Sequence, residues 1–268
     1  MDINFFNDYM KILLKSGYRD ADLFKDKFIP NRLYKYFPPD HNRLEALISN
    51  KLWLAQYDTF EDKHEFSFLQ INKNYFENHE SLHNINFSTA SQWLDSNKHL
   101  VSISCFTTSF QNSDFWKKYA ANYTGYCVEY QVVRKQLLYP VIYTDKNIDI
   151  SEYACNFIAK IYDTILKEKE LEAEWNRPVN LIPDEDIDNI SFIYFNYCAK
   201  EPDWSWENEF RIVFSNEHPQ TEPGQLVSYE CLGIKPINIY FYPQKCNPDV
   251  IPMLKQIRND NFSSISLE

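Results

Sequence analysis

The chain has 268 residues, 44% of them hydrophobic and 17% aromatic, which excludes global disorder and collagen-like or low-complexity structure. Its net charge of −11 has the sign that a phosphate backbone repels, so duplex nucleic acid is not favoured as a partner. The four glycines are too far apart for a G-x-G-x-x-G or P-loop motif, which excludes a fold built on a glycine-rich phosphate loop.

Cysteine spacing and hydropathy predict the compartment. The six cysteines form no C-x-x-C pair, and a chain of this length needs no disulfides, so we expect reduced thiols and no zinc knuckle. Residues 1–4 lack the basic start of a signal peptide, and no stretch of about 18 apolar residues occurs. The sequence therefore predicts a cytoplasmic protein with no membrane partner and no bound metal.

Hydrophobic periodicity predicts both helices and strands in the first half of the chain. A helix over 2–16 ends at Gly17, and another begins after Asp40, whose side chain is a good N-cap. The segment 64–97 is predicted to be mainly helical. The predicted strands of this half lie at 33–37, 51–55 and 100–106.

The second half combines short strands with two long helices. The helices are predicted at 114–121, 151–174, 184–199 and 248–257. The strands are predicted at 125–130, 138–143, 207–214, 225–230 and 237–242, before a short C-terminal strand. Because the elements do not alternate as βαβ units, we expect an α+β fold with a mixed or antiparallel sheet and helical insertions. We expect a single domain over 1–268, with a helical extension at 1–30 and a core at 30–257.

The densest group of charged and aromatic residues lies at 200–211. On a strand, Glu207, Glu209 and Arg211 would share a face, because side chains alternate. One guanidinium binds only one carboxylate bidentately, and the two carboxylates repel. Two interpretations stay open: a solvent-facing Glu–Arg pair, or an E-x-E site in which one carboxylate binds substrate or acts as a base.

Two earlier strands carry further candidates. Ser102 and Ser104 share a strand face, where small hydroxyls admit a flat ligand or form an ordinary polar surface. Tyr34 and Tyr36 share a face of the strand at 33–37, with Lys35 opposite. Their rings are either stacking platforms or simply good strand formers.

Two other segments have a structural and a functional interpretation. Trp116 lies on the predicted helix at 114–121, where core packing is the simpler role. The segment Glu61 to Glu65 holds three acids and His64, and is either a helix start or a metal chelate of no recognised spacing.

These blocks, in this order, resemble a widespread bacterial family catalogued as domain of unknown function 2971. The resemblance covers about residues 30–257. It rests on segments 33–36, 52–54, 60–65, 105–107, 116–120 and 125–130, and on Lys200 with 206–211. Asp62 and Glu65 match the family pattern, whereas Glu61, Lys63 and His64 depart from it. If that stretch shapes a pocket, the ligand or activity of this protein should differ from the family's.

A more remote resemblance implies an activity. ADP-ribosyltransferases of the Arg–Ser–Glu type place a cation on an early strand, an S-T-S on a second and an E-x-E on a late one. Here Arg32 or Lys35 precedes Ser102-Ile103-Ser104 and Glu207-Asn208-Glu209 in that order.

The resemblance implies a role for each residue, with NAD as substrate rather than as a resident cofactor. The cation would bind the NAD pyrophosphate, Tyr36 or Trp116 would stack on nicotinamide, and Ser104 would line the same site. Glu209 would bind the ribose, Ser102 would hold Glu209, and Glu207 would orient or deprotonate an acceptor of unknown identity. Arg211 and Lys200 would form a structural pair.

Three functions therefore stay open. The first is an ADP-ribosyltransferase-like enzyme, in which Glu209→Gln abolishes NAD consumption without lowering the melting temperature. The second is a non-catalytic module that binds a nucleotide or a partner chain, in which Glu209→Gln destabilises the fold. The third is a metal-dependent nuclease that uses Asp62, Glu65, Glu207 and Glu209, which the acidic balance disfavours.

Overall fold

A computed structural model describes residues 1–60, 66, 68–181, 189–216, 222–260 and 263–266. The chain divides into two compact units. The first unit comprises Met1–Phe24, Asp62–His99 and Ile142–Pro202, and the second comprises Lys25–Glu61, Leu100–Val141 and Asp203–Glu268. None of the helices in the described ranges is both long and apolar enough to cross a membrane.

The first unit is mainly helical. Helix α1 begins after Asp2, whose side chain accepts the backbone N–H groups of Asn4 and Phe5, and it ends at Gly17 as predicted. The aromatic rings of Phe5, Phe6 and Tyr9 pack around Phe195. The described helices of this unit are α1 (Ile3–Ser16), α2 (Tyr18–Asp26, whose last two residues belong to the second unit), α4 (Lys73–Glu77), α5 (Phe87–Ser96) and α7 (Ser151–Trp175). Short parallel pairs join β3 (Leu69–Gln70) to β8 (Ile148–Asp149), and β7 (Ile142–Tyr143) to β9 (Ala199–Lys200).

The second unit contains two β-sheets. The four-stranded sheet has the order β1 (Arg32–Phe37), β5 (Tyr126–Val132), β12 (Ile234–Phe241) and β13 (Ser263–Ser266). The five-stranded sheet has the order β11 (Gly224–Ser228), β2 (Lys51–Gln56), β4 (Val101–Phe106), β10 (Phe210–Ser215) and β6 (Leu138–Pro140). Within these two sheets the described pairings are antiparallel except for β12 with β13, which confirms the predicted α+β class with a mixed sheet.

The two sheets meet at one bridge. Tyr34 of β1 and Thr107, just after β4, exchange two backbone hydrogen bonds of 2.8 Å. Gly125 brings β5 in close beside β1, because a side chain at this position would overlap the carbonyl group of Phe37. The helices of this unit are α3 (His41–Ile48), α6 (Ser113–Lys118), α8 (Tyr229–Leu232) and α9 (Ile251–Asp260).

An aromatic cluster covers one face of the four-stranded sheet. Its buried members include Tyr36, Phe115, Trp116 and Tyr240. Tyr240 stacks on Phe110 with ring centroids 4.1 Å apart. Phe110, Tyr34, Tyr119, Tyr123 and Tyr242 pack against the buried members from the side. Aromatic side chains packed against one another therefore cover this face.

Several predicted elements end differently in the structure. The helix predicted at 114–121 ends at Lys118, because the chain at Ala121, Asn122 and Tyr123 takes three successive positive φ angles. The strand predicted at 207–214 begins only at Phe210, after a 3₁₀ helix at Pro202–Glu207. The strand predicted at 138–143 is two strands, β6 and β7.

The helix predicted at 184–199 is only partly described. Residues 182–188 lie outside the described ranges, and Asn189–Tyr197 forms a 3₁₀ helix before β9. The predicted extension at 1–30, core at 30–257 and single domain stay predictions.

A buried carboxylate, Glu129 on β5, lies in the middle of the four-stranded sheet. One oxygen accepts hydrogen bonds from Arg32 at 2.7 Å and from Tyr34, and the other from Asn238 and from Tyr240 at 2.6 Å. Burial raises the pKa of Glu129, but the hydrogen bonds from Asn238, Tyr240 and Arg32 outweigh burial and hold the pKa below its ordinary value. The network therefore ties β1 and β12 to the central strand through a charge.

The Glu129→Gln variant should unfold more readily than wild type at neutral pH, by about 1–3 kcal/mol, because the charged acceptor is lost. Because folding lowers the pKa of Glu129, its charge contributes fully to the free energy of unfolding above the unfolded-state pKa of about 4.3. This contribution is lost as the pH falls through the folded-state pKa. Urea unfolding from pH 7 to pH 3 should show the difference between the two proteins shrinking below about pH 4. A difference that stays constant over this range would contradict the network.

Candidate functional site

The segment that carries Glu207, Glu209 and Arg211 is a helix-to-strand turn rather than a continuous strand. The 3₁₀ helix Pro202–Glu207 ends at Asn208, whose φ of 43° is left-handed, and β10 begins two residues later. The expectation that all three side chains share one strand face is therefore wrong for Glu207. The turn sends the two glutamates to different neighbours.

Glu209 forms a buried ion pair with Arg211. The Arg211 guanidinium donates from Nε to Oε1 at 2.7 Å and from a terminal nitrogen to Oε2 at 3.3 Å. Arg211 is fully buried, and the Glu209 side chain is 5% exposed. Cys105 of β4 stands directly opposite Arg211, and burial, with a smaller contribution from the Glu209 charge, raises the pKa of its thiol to about 12. Cys105 is therefore a neutral thiol beside the ion pair.

Lys35 of β1 reaches the same region from the other sheet. Its ammonium donates to the carbonyl oxygen of Cys105 at 2.9 Å and lies 5.5 Å from the centre of the Phe106 ring. Burial lowers the pKa of Lys35 to about 8; Arg43 adds to the shift, whereas Cys105 and Glu209 oppose it. Lys35 is thus close enough to Glu209 for the two charges to interact, and it is mostly protonated at neutral pH.

Among the described residues, Glu207 contacts Lys118 at the end of α6 and Tyr119, the residue after it. Its carboxylate accepts the Tyr119 hydroxyl at 2.7 Å and lies 3.8 Å from the Lys118 ammonium. The Thr107 hydroxyl donates to the Glu207 backbone carbonyl at 2.8 Å. Burial and the Glu207 charge raise the pKa of Tyr119 far above its ordinary value, so its hydroxyl stays protonated and donates. The Glu207 side chain is 2% exposed, whereas that of Lys118 is 42% exposed.

Four predicted site residues therefore come together in the second unit: Lys35, Glu207, Glu209 and Arg211. They derive from β1, from the 3₁₀ helix at Pro202–Glu207 and from the start of β10. The arrangement combines two buried carboxylates in different surroundings with a cation that loses its proton near pH 8. Such a set can bind a phosphate group, stabilise a developing positive charge and accept a proton.

Ser102 is not brought to Glu209. Ser102 pairs with Phe214 near the far end of β10, whereas Glu209 precedes the first residue of that strand. Its hydroxyl oxygen is surrounded by the amide groups of Gln56, Asn216 and Gln225 at 2.9 to 3.1 Å. The predicted role of holding Glu209 is filled by Arg211 instead, because Arg211 is two residues along the same strand.

The other predicted residues lie in structural positions. Ser104 is buried beside Ser102 on β4, and its hydroxyl has no hydrogen-bond partner among the residues that the structure describes. Arg32 binds Glu129 on the face of β1 opposite Lys35, so of the two predicted cations only Lys35 lies near Glu209. Lys200 is a buried residue of β9 in the first unit, and its predicted pairing with Arg211 stays a prediction.

Tyr36 and Trp116 are buried in the aromatic cluster. Tyr36 packs on Phe115 and Trp116, with ring centroids 5.2 and 5.1 Å apart. Trp116 stacks on Tyr123 and meets the edge of Tyr242. Protein rings therefore occupy the positions in which nicotinamide was expected to stack.

Sequence reasoning missed Cys105, Thr107, Lys118 and Tyr119 as neighbours of the two glutamates. The sequence assigns the segments 105–107 and 116–120 no contact with Glu207 or Glu209. Their proximity to Glu207 and Glu209 depends on the pairing of β4 with β10 and on the packing of α6, which spacing along the chain does not reveal.

The metal-dependent alternative depends partly on residues outside the described ranges. The segment from Glu61 to Glu65, with its Asp62 and His64, is among them. Within the described part of the chain, no group of three or more His, Cys, Asp or Glu side chains is placed to hold a metal ion.

The Arg211→Met variant should lose about 3–5 kcal/mol of stability, because it leaves the Glu209 carboxylate buried without the guanidinium that binds it. Combining Arg211→Met with Glu209→Gln should recover part of the loss, since no buried charge of the pair then remains. Urea unfolding of the four proteins at pH 7 measures the coupling. Lys117→Met, which removes an exposed pair with Asp114, is the control and should change little. Additive single-variant losses would show that the pair is not coupled.

Comparison with known families supports one part of the resemblance. The family model described as Protein of unknown function (DUF2971) matches residues 115–212. This segment contains α6 and β5 and ends within β10, and it includes Glu207, Glu209 and Arg211. Searches of curated proteins and of solved structures gave no match. Over residues 115–212, the chain therefore has the pattern of the DUF2971 family, as its sequence had indicated.

Proposed function

We propose that the protein is a cytoplasmic ADP-ribosyltransferase-like enzyme that takes NAD as its substrate. The observation that supports this proposal best is the meeting of Lys35, Glu207 and Glu209 in one region of the second unit. Lys35 on β1 is more than 170 residues away in sequence from the two glutamates, which flank the turn at Asn208. The reaction needs a cation that binds phosphate, a fixed anion and a base. Lys35 supplies the cation, Glu209 the anion and Glu207 the base.

In the proposed reaction, the bond between C1′ of the nicotinamide ribose and the pyridinium nitrogen breaks, and nicotinamide leaves with the bonding electron pair. The ribose takes on the charge of an oxocarbenium-like transition state. Glu209 binds a ribose hydroxyl and stabilises that charge. An acceptor nucleophile then bonds to C1′ and gives its proton to Glu207.

Lys35 is the proposed contact of the NAD pyrophosphate. It carries a positive charge at neutral pH, and among the described residues its ammonium donates one hydrogen bond, to the backbone carbonyl oxygen of Cys105. Two of its three N–H donors are left to bind phosphate oxygens. Lysine binds phosphate as a point charge and without the bidentate geometry of arginine.

A second candidate function is a non-catalytic module that binds a nucleotide or a partner chain. It is favoured by one observation: both Glu209 oxygens are engaged by Arg211, as in a structural ion pair. Glu209→Gln does not separate the two functions, contrary to the expectation from sequence. Because Arg211 is fully buried, this variant should destabilise the fold under either function. Glu207 is the more informative position.

Wild-type protein should release nicotinamide from millimolar NAD, and Glu207→Gln should lower kcat by about 100-fold or more, because the acceptor loses its base. The Gln side chain still accepts the Tyr119 hydroxyl, so the melting temperature should stay within a few degrees of wild type. Nicotinamide release is followed by chromatography, and melting by calorimetry.

Glu230→Gln is the matched control, since Glu230 is an exposed glutamate of the same unit on α8. It should release nicotinamide at the wild-type rate. Wild-type protein that neither binds nor consumes NAD would reject the enzymatic proposal and leave the binding module as the better account.

NAD turnover should also depend on the charge of Lys35. Because burial lowers the pKa of this side chain to about 8, it is charged below that pH and neutral above it. Pyrophosphate binding should weaken above pH 8, so kcat/KM should fall there by up to tenfold for each pH unit. The Lys35→Arg variant stays charged, so its kcat/KM should not fall on this account up to pH 10. A wild-type profile that is flat from pH 7 to pH 9.5 would reject this role of Lys35.

A further inference from the structure

The geometry points to Asn208 as the positioning residue that gives Glu207 and Glu209 separate roles. This inference rests on the proposed function, within which it assigns proton transfer to Glu207 and charge stabilisation to Glu209. Asn208 lies between the two buried glutamates, but its own side chain is exposed. It therefore acts on the site through the direction of its backbone.

The Asn208 backbone is in an unusual conformation. Its φ of 43° lies in the left-handed region, which costs most residues about 1–2 kcal/mol and which asparagine and glycine tolerate best. The Asn208 N–H donates to the Ser205 carbonyl at 3.2 Å, which closes the 3₁₀ helix at Pro202–Glu207. One residue further along, Glu209 enters the ion pair with Arg211. The left-handed residue is thus the junction between two elements that hold one glutamate each.

A regular strand through these positions would give a different site. Residues i and i+2 of a strand share a face about 7 Å apart, so both carboxylates would compete for Arg211. With the turn at Asn208, Glu209 accepts two hydrogen bonds from Arg211, and Glu207 meets Lys118 of α6 and Tyr119, the residue after it. Within the described part of the chain, the two anions consequently have separate partners.

The separate partners imply separate chemistry. Glu209 is fixed as an anion by a buried guanidinium, which suits it to stabilise positive charge on the ribose. Glu207 accepts the Tyr119 hydroxyl and lies beside the half-exposed ammonium of Lys118, so a proton that it receives has a route to solvent past Lys118. A change that straightens the turn would move Glu207 away from Tyr119 while Arg211 continues to hold Glu209.

The test is a series at position 208. Asn208→Gly keeps the left-handed backbone, and its kcat should stay within about threefold of wild type. Asn208→Val disfavours that backbone and should lower kcat by about 100-fold, with the KM for NAD nearly unchanged, since a displacement of about 1 Å costs that much. The kcat of Asn208→Ala should lie between those of the glycine and valine variants. The alanine variant replaces the valine variant in the test if the latter does not fold.

Asn176→Val is the matched control. Asn176 is also exposed and left-handed, with a φ of 49°, but it follows α7 in the first unit. It should suffer comparable backbone strain and keep the wild-type kcat. Equal losses of kcat at positions 176 and 208 would show a general stability effect and overturn the inference.

A second measurement separates this inference from the proposed function, because it needs no turnover. The chemical shift of the Glu207 carboxyl carbon is measured by NMR at pH 7 in wild type, Tyr119→Phe and the position 208 series, because it reports the contact with the Tyr119 hydroxyl. The signal of Asn208→Val should move as in Tyr119→Phe, and that of Asn208→Gly should stay as in wild type. This pattern in a protein that consumes no NAD would reject the enzyme but keep Asn208 as the residue that positions Glu207. A valine variant whose Glu207 signal and turnover are those of wild type would overturn the inference.

Discussion

The buried ion pair of Arg211 and Glu209 is the constraint on which the site depends. Arg211 lies in the middle of the five-stranded sheet, paired with Cys105 on one side and Tyr139 on the other, and it has no solvent exposure. A guanidinium in that position is costly unless an anion lies against it. Glu209 satisfies this requirement from two residues away, which determines where the chain must be as it enters β10. Asn208 then has to turn, and Glu207 is directed to α6.

The alternation of side chains along β1 distributes two cations to two charge networks. Arg32 and Lys35 are three residues apart and therefore lie on opposite faces of the strand. Arg32 contributes to the network of Glu129 inside the four-stranded sheet, whereas Lys35 crosses to the carbonyl of Cys105 on the five-stranded sheet. The bridge between Tyr34 and Thr107 holds the two sheets together at this point. One strand thus stabilises its own sheet and supplies the cation of the candidate site.

The aromatic cluster connects fold stability to the site. Its rings pack against one another over one face of the four-stranded sheet, with Trp116 and Tyr36 at the centre. Tyr119 packs at the edge of the cluster, and its hydroxyl extends to the Glu207 carboxylate. The apolar part of this side chain is held by Phe115, so the position of the hydroxyl is set by core packing. The residues that were expected to bind a ligand ring are the ones that provide this support.

Local sequence patterns determined the α+β class, the positions of most strands and the caps of α1 and α3, because periodicity and capping are properties of neighbouring residues. They also identified Lys35, Glu207, Glu209 and Arg211, since charged residues beside aromatic ones stand out in any sequence. Only the tertiary structure decided that Lys35 rather than Arg32 approaches Glu209, that Arg211 rather than Ser102 holds it, and that Tyr119 holds Glu207. These outcomes depend on strand pairing and helix packing between segments about 70 to 175 residues apart, and on one left-handed residue whose conformation the alternation rule does not anticipate.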